Sequence, residues 1–361
     1  MNRKKIEPRS ECFTRNWNGC AATARLSPAW ARRNSEWQSQ KTSTPPSLCG
    51  SFLPHSGARR PVLKLSNGLC GLILVLLFIA APAQSAPAKL PFSTVFRGTA
   101  QFERLVKRAE EGNWSALPIG QRVATVGKSL VGTPYASFTL EIDDRIEAAS
   151  ANLEGMDCWT FFEISLAFAR MISEPRDSWT PQNFLHYIEL DRYRGGICTG
   201  AYLSRLHYLE DWAVDNQQRG LVTDITHSLG GVRVRHEANE MTHGWKEYRY
   251  LKANPSLLTP LARMEEHVTA LPMFCIPLHR VAAAEKNMQD GDIICIISRD
   301  IPPYVSTSHV GLAVRDANGT LHFMHASSPR NYGKVVVDDE LIRYLHRYST
   351  DLGVMVVRPL K

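Results

Sequence analysis

The sequence has little cysteine, no long hydrophobic run and no internal repeat. Four of its eight cysteines precede residue 89, and the other four are Cys158, Cys198, Cys275 and Cys295. None of these four belongs to a CxxC pair, so a disulfide-rich scaffold and a zinc ribbon are both excluded. If Cys158 works as a thiol, at most one bridge is left for the other three, and the sequence does not say which pair would form it.

The main part of the chain also lacks a surplus of charge. Residues 1–88 hold 12 of the 42 Lys and Arg and 3 of the 35 Asp and Glu, so the remainder has 30 basic and 32 acidic residues, a net charge of −2. A surface that neutralises phosphate groups is therefore not expected, and nucleic acid is excluded as a partner.

The N-terminal quarter predicts an export signal rather than a domain. The apolar run at 69–80 follows basic residues and precedes APAQSAPAK. Twelve helical residues rise about 18 Å, too short for a ~30 Å hydrocarbon core. We expect residues 62–88 to be a signal peptide, with an uncleaved short anchor as the alternative, and residues 1–61 to be a disordered or misassigned extension, with translation starting near Val62 or Leu65. The protein is then exported to the periplasm, with no stable membrane span after cleavage.

The rest of the chain predicts an α+β fold. Helical periodicity marks the segments 96–130, 157–172 and 202–217. From residue 290 the period changes to two, and five short β-branched segments predict an antiparallel sheet, interrupted by a helix near 339–347. Helices followed by a sheet indicate the α+β class. We expect one domain over 89–361, with a helical and loop insertion around 176–285.

Cys158 lies at the start of the strongest predicted helix, which Asp157 can cap. Unpaired backbone N–H groups and the helix dipole favour an anion there, so the thiol is expected to ionise readily. The alternative is a buried structural cysteine.

Two histidines are expected to share one face of a β-hairpin. His309 opens HVGLAVRD, and His325 lies in LHFMHASS beyond the turn at 316–320. A two-residue turn would place them on opposite faces. A three-residue turn with Gly319 left-handed pairs positions 309 and 327 and makes the two imidazoles diagonal neighbours, and this is the register we predict. A helix-start thiolate facing a base and its orienter is the arrangement of papain-like enzymes.

Four ordered motifs resemble those of the NlpC-type cell-wall hydrolases. They are GMDCWTFFE around Cys158, DGDIICII, SHVGL around His309 and FMHASS around His325. The resemblance implies a papain-like cysteine peptidase fold, with the nucleophile at a helix start packed on a C-terminal antiparallel sheet. The GTPY segment that ends at Tyr135 is similar to the family's upstream active-site tyrosine.

The middle of the chain is similar to a narrower branch, the N-acetylmuramoyl-L-alanine amidase-like enzymes. The segments concerned are 193–212 (YRGGICTGAYLSRLHYLEDW) and 222–231 (VTDITHSLGG), and the resemblance spans about residues 95–360. This branch releases the peptide stem from the muramoyl lactyl group. The bulky Trp159 after the nucleophile departs from the family pattern.

The resemblance implies a role for each residue of the predicted site. Cys158 would attack the amide carbonyl as a thiolate, His309 would pair with it and protonate the leaving amine, and His325 would orient His309. The Cys158 N–H and the Tyr135 hydroxyl are candidates for stabilising the oxyanion. No metal or organic cofactor enters this scheme, and His322 points away from His325, so an HxxH zinc site is not expected.

Six polar residues are candidates for holding the muropeptide, whose stem has carboxylates that guanidinium groups bind well. They are Asp157, Arg194, Ser204, Arg205, His207 and Tyr208. For Asp157 helix capping is an equal alternative, and for the others it is ordinary surface polarity.

The sequence thus predicts an exported cysteine amidase that cleaves the amide between N-acetylmuramic acid and L-Ala in peptidoglycan or soluble muropeptides. A γ-D-glutamyl-diamino-acid endopeptidase with the same catalytic trio, a non-catalytic wall-binding relative and an acyltransferase remain as alternatives.

Overall fold

An antiparallel sheet dominates the C-terminal half of the chain, and helices from the N-terminal half cover one of its faces. The computed structural model describes residues 89–299 and 305–361. The predicted extension (1–61) and signal peptide (62–88) lie outside the described residues.

The described chain contains both helices and strands. Its α-helices are α1 (Phe92–Val95), α2 (Thr99–Glu111), α3 (Ile119–Ser129), α4 (Cys158–Met171), α5 (Pro181–Arg192), α6 (Leu209–Gln218), α7 (Glu240–His243), α8 (Arg249–Ala253), α9 (Leu258–Ala270), α10 (Leu278–Ala284) and α11 (Leu341–Leu345). The strands are β1 (Phe96–Arg97), β2 (Ala151–Asn152), β3 (Val222–Asp224), β4 (Val232–Val234), β5 (Met273–Pro277), β6 (Ile293–Ser298), β7 (Ser306–Arg315), β8 (Leu321–Ala326), β9 (Val335–Glu340) and β10 (Asp351–Pro359).

The main sheet has the strand order β4-β5-β10-β6-β7-β8-β9, and β3 adds a second partner along β10. Every pairing in it is antiparallel. The five strands expected after residue 290 are β6 to β10, so the prediction of an antiparallel sheet is confirmed. The mixture of helices and sheet is consistent with the predicted α+β class.

Helix α4 is the centre of the larger hydrophobic core. All fourteen of its residues are buried, because α3 and α5 pack on it from two sides and β7 from a third. A helix enclosed in this way is apolar around its whole circumference, which agrees with the sequence DCWTFFEISLAFARMI. A second cluster, which includes Phe323 and Tyr344, lies where α10 and α11 pack against the sheet.

The segment 176–285 differs from the expected helical and loop insertion. It provides β3, β4 and β5 to the main sheet, and Phe184 and Ile188 of α5 belong to the larger core. The helix expected at 202–217 is also wrong in its first half. Residues 202–204 form one 3-10 turn, Tyr208 is extended, and α6 begins only at Leu209.

No helix in the described ranges is both long enough and apolar enough to cross a bilayer.

Candidate active site

Cys158 is the first residue of α4, and Asp157 caps the helix as predicted. The Asp157 carboxylate accepts a hydrogen bond from the Thr160 N–H (2.8 Å), and the Asp157 N–H donates to the Thr160 hydroxyl (3.0 Å), which completes a capping box. Burial raises the pKa of Asp157, although the hydrogen bonds from Thr160 oppose this. These contacts support capping as the role of Asp157.

The Cys158 side chain is buried, with 1% of its surface exposed. The other described cysteines, Cys198, Cys275 and Cys295, are free thiols, so no bridge forms among them. Burial raises the pKa of Cys295 well above its ordinary value.

The β7–β8 hairpin has the predicted three-residue turn. Leu312 pairs with Met324 and Arg315 with Leu321, a register that places position 309 opposite 327. Gly319 has φ of +83°, in the left-handed region. The side chains of His309 and His325 consequently meet on one face, with Nε2 of the first 2.7 Å from Nδ1 of the second. The predicted diagonal pair is confirmed.

Aromatic side chains enclose the two imidazoles. Phe323 stacks on His325 with ring centroids 4.8 Å apart, and Tyr344 of α11 lies 5.0 Å from the same imidazole. His309 and His325 are 7% and 2% exposed. The other face of the hairpin points to α3, since a Cβ added at Gly127 would meet the Met324 side chain at 2.5 Å. The imidazoles therefore lie on the face of β7 and β8 that packs against α11, opposite to the face that packs against α3, and near the open end of the hairpin.

A backbone ladder connects the start of α4 to this end of the hairpin. The Met156 N–H donates to the Pro134 carbonyl (3.1 Å), and the Tyr135 N–H donates to the Gly333 carbonyl (2.9 Å). Ser327, two residues after His325, donates its N–H to the Lys334 carbonyl (3.0 Å). The backbone of Tyr135 thus lies between the residues that precede Cys158 and the residues that follow His325.

A carboxylate that the sequence analysis missed completes the array. The second imidazole nitrogen of His325, Nε2, lies 3.2 Å from Oδ2 of Asp338 on β9. Arg347 lies 2.9 Å from the other carboxylate oxygen, which also accepts the Asp339 N–H (2.7 Å). Burial alone would raise the pKa of Asp338, but the hydrogen bond from His325, the Asp339 N–H and the charge of Arg347 outweigh it and lower the pKa to about 2.

The signal that could have found Asp338 is the acidic pair in KVVVDD. A strand that is otherwise β-branched rarely includes a buried carboxylate without a partner for it. His325 pairs with Val336, and Asp338 lies two residues further along β9, on the same face of the sheet. The sequence alone did not establish which residues of β8 and β9 pair, so it could not place this carboxylate.

The residues expected to bind the substrate form ion pairs and hydrogen bonds within the protein. Arg205, expected on a polar surface, is 5% exposed and pairs with Glu141 (2.9 Å) and Glu147 (3.3 Å). The Arg205 guanidinium thus forms ion pairs with two carboxylates of the irregular segment between Tyr135 and β2. Because these ion pairs occupy the guanidinium, it is not available to a carboxylate of the substrate. The expectation that Arg205 lies on the surface is wrong, because two buried carboxylates enclose it.

His207, Tyr208 and Ser204 are likewise engaged. The Nε2 of His207 lies 3.0 Å from the Tyr202 carbonyl, and burial lowers the pKa of this histidine well below its ordinary value. The buried Tyr208 hydroxyl donates to Glu265 (2.7 Å), and the Ser204 hydroxyl to the Ala201 carbonyl (2.6 Å). The placement of these three side chains supports structural roles.

Arg194 is the most exposed of the charged candidates. Its side chain is 39% exposed, while its guanidinium makes a two-point contact with Asp211, at 3.1 and 2.6 Å. A bidentate pair of this kind satisfies both oxygens of the carboxylate. Arg194 is therefore held in place at the end of α5 by a buried acid on α6.

Two hydrogen-bonded imidazoles backed by a carboxylate form an acid–base array of the kind that hydrolases use. A family model described as AmiA-like, N-acetylmuramoyl-L-alanine amidase-like, matches residues 125–352. This match includes more than half of the chain, and the chain belongs to that family. The matched residues contain Cys158, both histidines and Asp338.

Solved structures share the fold. An N-acetylmuramoyl-L-alanine amidase from Bacteroides uniformis is 27% identical with a TM-score of 0.60, over 67% of this chain and 99% of that one. A proposed xylanase from Bacteroides fragilis is 31% identical with a TM-score of 0.58, over 65% and 99%. A Legionella pneumophila protein of the DUF1460 family, 22% identical with a TM-score of 0.55 over 73% and 95%, is similar in fold alone. No curated protein matches the chain.

Proposed function

We propose that the protein is an exported cysteine amidase that hydrolyses the amide between the lactyl group of N-acetylmuramic acid and L-Ala, in peptidoglycan or soluble muropeptides. The observation that carries the proposal is the 2.7 Å contact between His309 and His325, in a chain of the amidase-like family. The amidase from Bacteroides uniformis aligns with this chain over 99% of its own length, and this similarity supports the same substrate class. The proposed architecture is papain-like.

In the proposed mechanism the reduced Cys158 thiol transfers its proton to His309, and the thiolate attacks the lactyl carbonyl. The start of α4 favours the thiolate because backbone N–H groups point towards it. The Cys158 N–H and the Tyr135 hydroxyl stabilise the tetrahedral oxyanion. The C–N bond then breaks as His309 protonates the amine of L-Ala, which leaves a thioester on Cys158 that water hydrolyses with His309 as the base.

The site is unsuited to the glycoside chemistry suggested by the name of the Bacteroides fragilis structure. Glycosidases generally use two carboxyl groups, one of which has a raised pKa and protonates the leaving oxygen. Asp338 has a pKa of about 2 and is held by His325 and Arg347. A carboxylate of this kind stays ionised and cannot serve as the acid.

Digestion of defined muropeptides with mass analysis of the products tests the proposal. The reduced enzyme is expected to release the intact stem peptide, with a free L-Ala amine. Release of L-Ala-D-Glu would identify a γ-D-glutamyl-diamino-acid endopeptidase instead, and transfer to an added amine in place of water would identify an acyltransferase.

Cys158→Ala is the control for this experiment and should abolish turnover. Turnover by Cys158→Ala equal to that of the wild type would refute the cysteine mechanism and favour a wall-binding role. Sequencing the N-terminus of the protein recovered from the periplasm tests the proposed export and cleavage before residue 89.

A further inference from the structure

The hydrogen-bonded array continues beyond the predicted catalytic trio and ends at a fixed negative charge. Asp338 has 3% of its side chain exposed, and it contacts Nε2 of His325, the Asp339 N–H and the guanidinium of Arg347. The Tyr332 hydroxyl also donates to it, at 3.4 Å. With these donors around it the carboxylate remains ionised at neutral pH.

An ionised Asp338 determines the protonation of both imidazoles. A carboxylate can only accept, so Nε2 of His325 must have the proton. In the neutral imidazole Nδ1 of His325 then has a lone pair, and the 2.7 Å contact requires a proton on Nε2 of His309. The remaining nitrogen of His309, Nδ1, is the one that can accept a proton from another group.

We propose that Asp338 is a positioning residue that acts through His325 to fix the tautomer of His309, so that Nδ1 is the basic nitrogen of that imidazole. This inference rests on the proposed function, because it assigns the tautomer of the general base in that reaction. Asp338 does not contact the reacting atoms, and its effect is transmitted through one imidazole. Arg347 holds the carboxylate in place from the end of α11, and Tyr344 of the same helix packs between Arg347 and His325.

The charged and titratable groups that face this array come from four elements. They are His309 from β7, His325 and His322 from β8, Asp339 from β9, and Tyr344 and Arg347 from α11 and the residues after it, with Tyr332 from the preceding loop. Arg347 is the fixed cation among them and also pairs with Asp339 at 3.1 Å.

The chain offers a matched pair of variants for the test. Asp338→Asn and Asp339→Asn each remove one carboxylate from neighbouring positions on β9, and both carboxylates pair with Arg347. Of these two carboxylates, Asp338 is the one that accepts the hydrogen bond from His325. Measurements on the reduced enzyme with a muropeptide substrate separate an effect on the imidazoles from a general effect on β9 and Arg347.

Asp338→Asn is expected to lower kcat by about 10²-fold with little change in KM. This loss is smaller than the ~10⁴-fold loss in serine proteases, where the replaced carboxylate touches the catalytic histidine directly. The alkaline limb of the kcat/KM profile should move to lower pH by about one unit, because loss of the anion makes the imidazolium easier to deprotonate. Asp339→Asn should match the wild type in both respects, and Asp338→Glu should recover part of kcat.

Nitrogen-15 NMR of the imidazoles provides a readout that does not depend on turnover. The wild-type protein should have a protonated Nε2 on His325 and an unprotonated Nδ1 on His309, and Asp338→Asn should alter the first signal. If Asp338→Asn and Asp339→Asn have the same kcat and the same pH profile, the inference is wrong while the cysteine mechanism stands. If Cys158→Ala remains active, the proposed function itself is wrong.

Discussion

An ion pair buried beside the helix of the proposed nucleophile permits a quantitative test of the packing. Glu163 of α4 accepts a hydrogen bond from Nε of Arg192, the last residue of α5, at 2.8 Å. The same guanidinium donates from Nη1 to the Ser150 carbonyl, at 2.7 Å. The two side chains are 0% and 1% exposed. Replacing Arg192 by Met would leave the Glu163 carboxylate in the core without its cation.

The expected loss of unfolding free energy is about 3–5 kcal/mol, the usual cost of removing one partner of a buried pair. The unfolding free energy of a whole domain is about 5–15 kcal/mol, so this loss is a large part of it. The double variant Arg192→Met with Glu163→Leu should recover most of it, because no unpaired charge then remains. Burial raises the pKa of Glu163, and without Arg192 this effect is stronger. A raised folded-state pKa makes the deficit increase with pH, so Arg192→Met should be closer to the wild type at pH 5 than at pH 8.

Urea unfolding followed by tryptophan fluorescence at both pH values measures these differences. The exposed pair of Arg97 with Glu154, at 3.1 Å with side chains 59% and 46% exposed, supplies the control. Arg97→Met should change the unfolding free energy by less than about 1 kcal/mol. A loss below 1 kcal/mol for Arg192→Met, or a double variant no more stable than that single one, would refute the reasoning.

Three further perturbations have definite expected outcomes. Arg205→Met should lower the unfolding free energy by about 3–5 kcal/mol, because Glu141 and Glu147 are then buried without their cation. The KM of the folded enzyme should stay near the wild-type value. A raised KM with unchanged stability would instead support a role of Arg205 in substrate binding. Gly353→Ala should lower the unfolding free energy by about 3 kcal/mol or more in the same urea assay, because its Cβ would overlap the Ile276 carbonyl oxygen where β10 pairs with β5. An unshifted urea midpoint would contradict this expectation. The pKa of Asp338 is lowered from 3.8 to about 2, which corresponds to a contribution of about 2 kcal/mol to the unfolding free energy. This contribution should be present above pH 4 and should disappear as the pH falls towards 2. Asp338→Asn should lack this pH dependence.

The elements that the sequence predicted well have local causes. The cap at Asp157 and the apolar residues that follow it define α4 within a few residues, and β-branched segments separated by turns define β6 to β10. The register of the β7–β8 hairpin followed from turn geometry, since Gly319 can adopt a positive φ. Both histidines of the site could therefore be placed on one face from sequence alone.

The elements that escaped prediction depend on distant contacts. Residues 202–208 have a helical composition, yet Tyr202 stacks on Tyr250 at 4.4 Å and Tyr208 bonds to Glu265, both far along the chain. Tertiary contacts of this kind override local propensity. The same cause explains Arg205, because its partner Glu141 is 64 residues away and gives no sequence signal of its own. Asp338 escaped because the register that pairs His325 with Val336 of β9, and so puts Asp338 on the same face, could not be read from the long connection between β8 and β9.

The charge balance of the array bears on how the proposed nucleophile would form. Asp338 shares the cation Arg347 with Asp339, and Phe323 and Tyr344 pack against the buried imidazoles. A proton added to His309 from solvent would therefore create a poorly hydrated cation, which is costly in a buried site. A proton taken from the Cys158 thiol creates the thiolate at the same time, and the two opposite charges stabilise each other at the N-terminus of α4. The thiolate and the imidazolium of the proposed mechanism are therefore expected to form together.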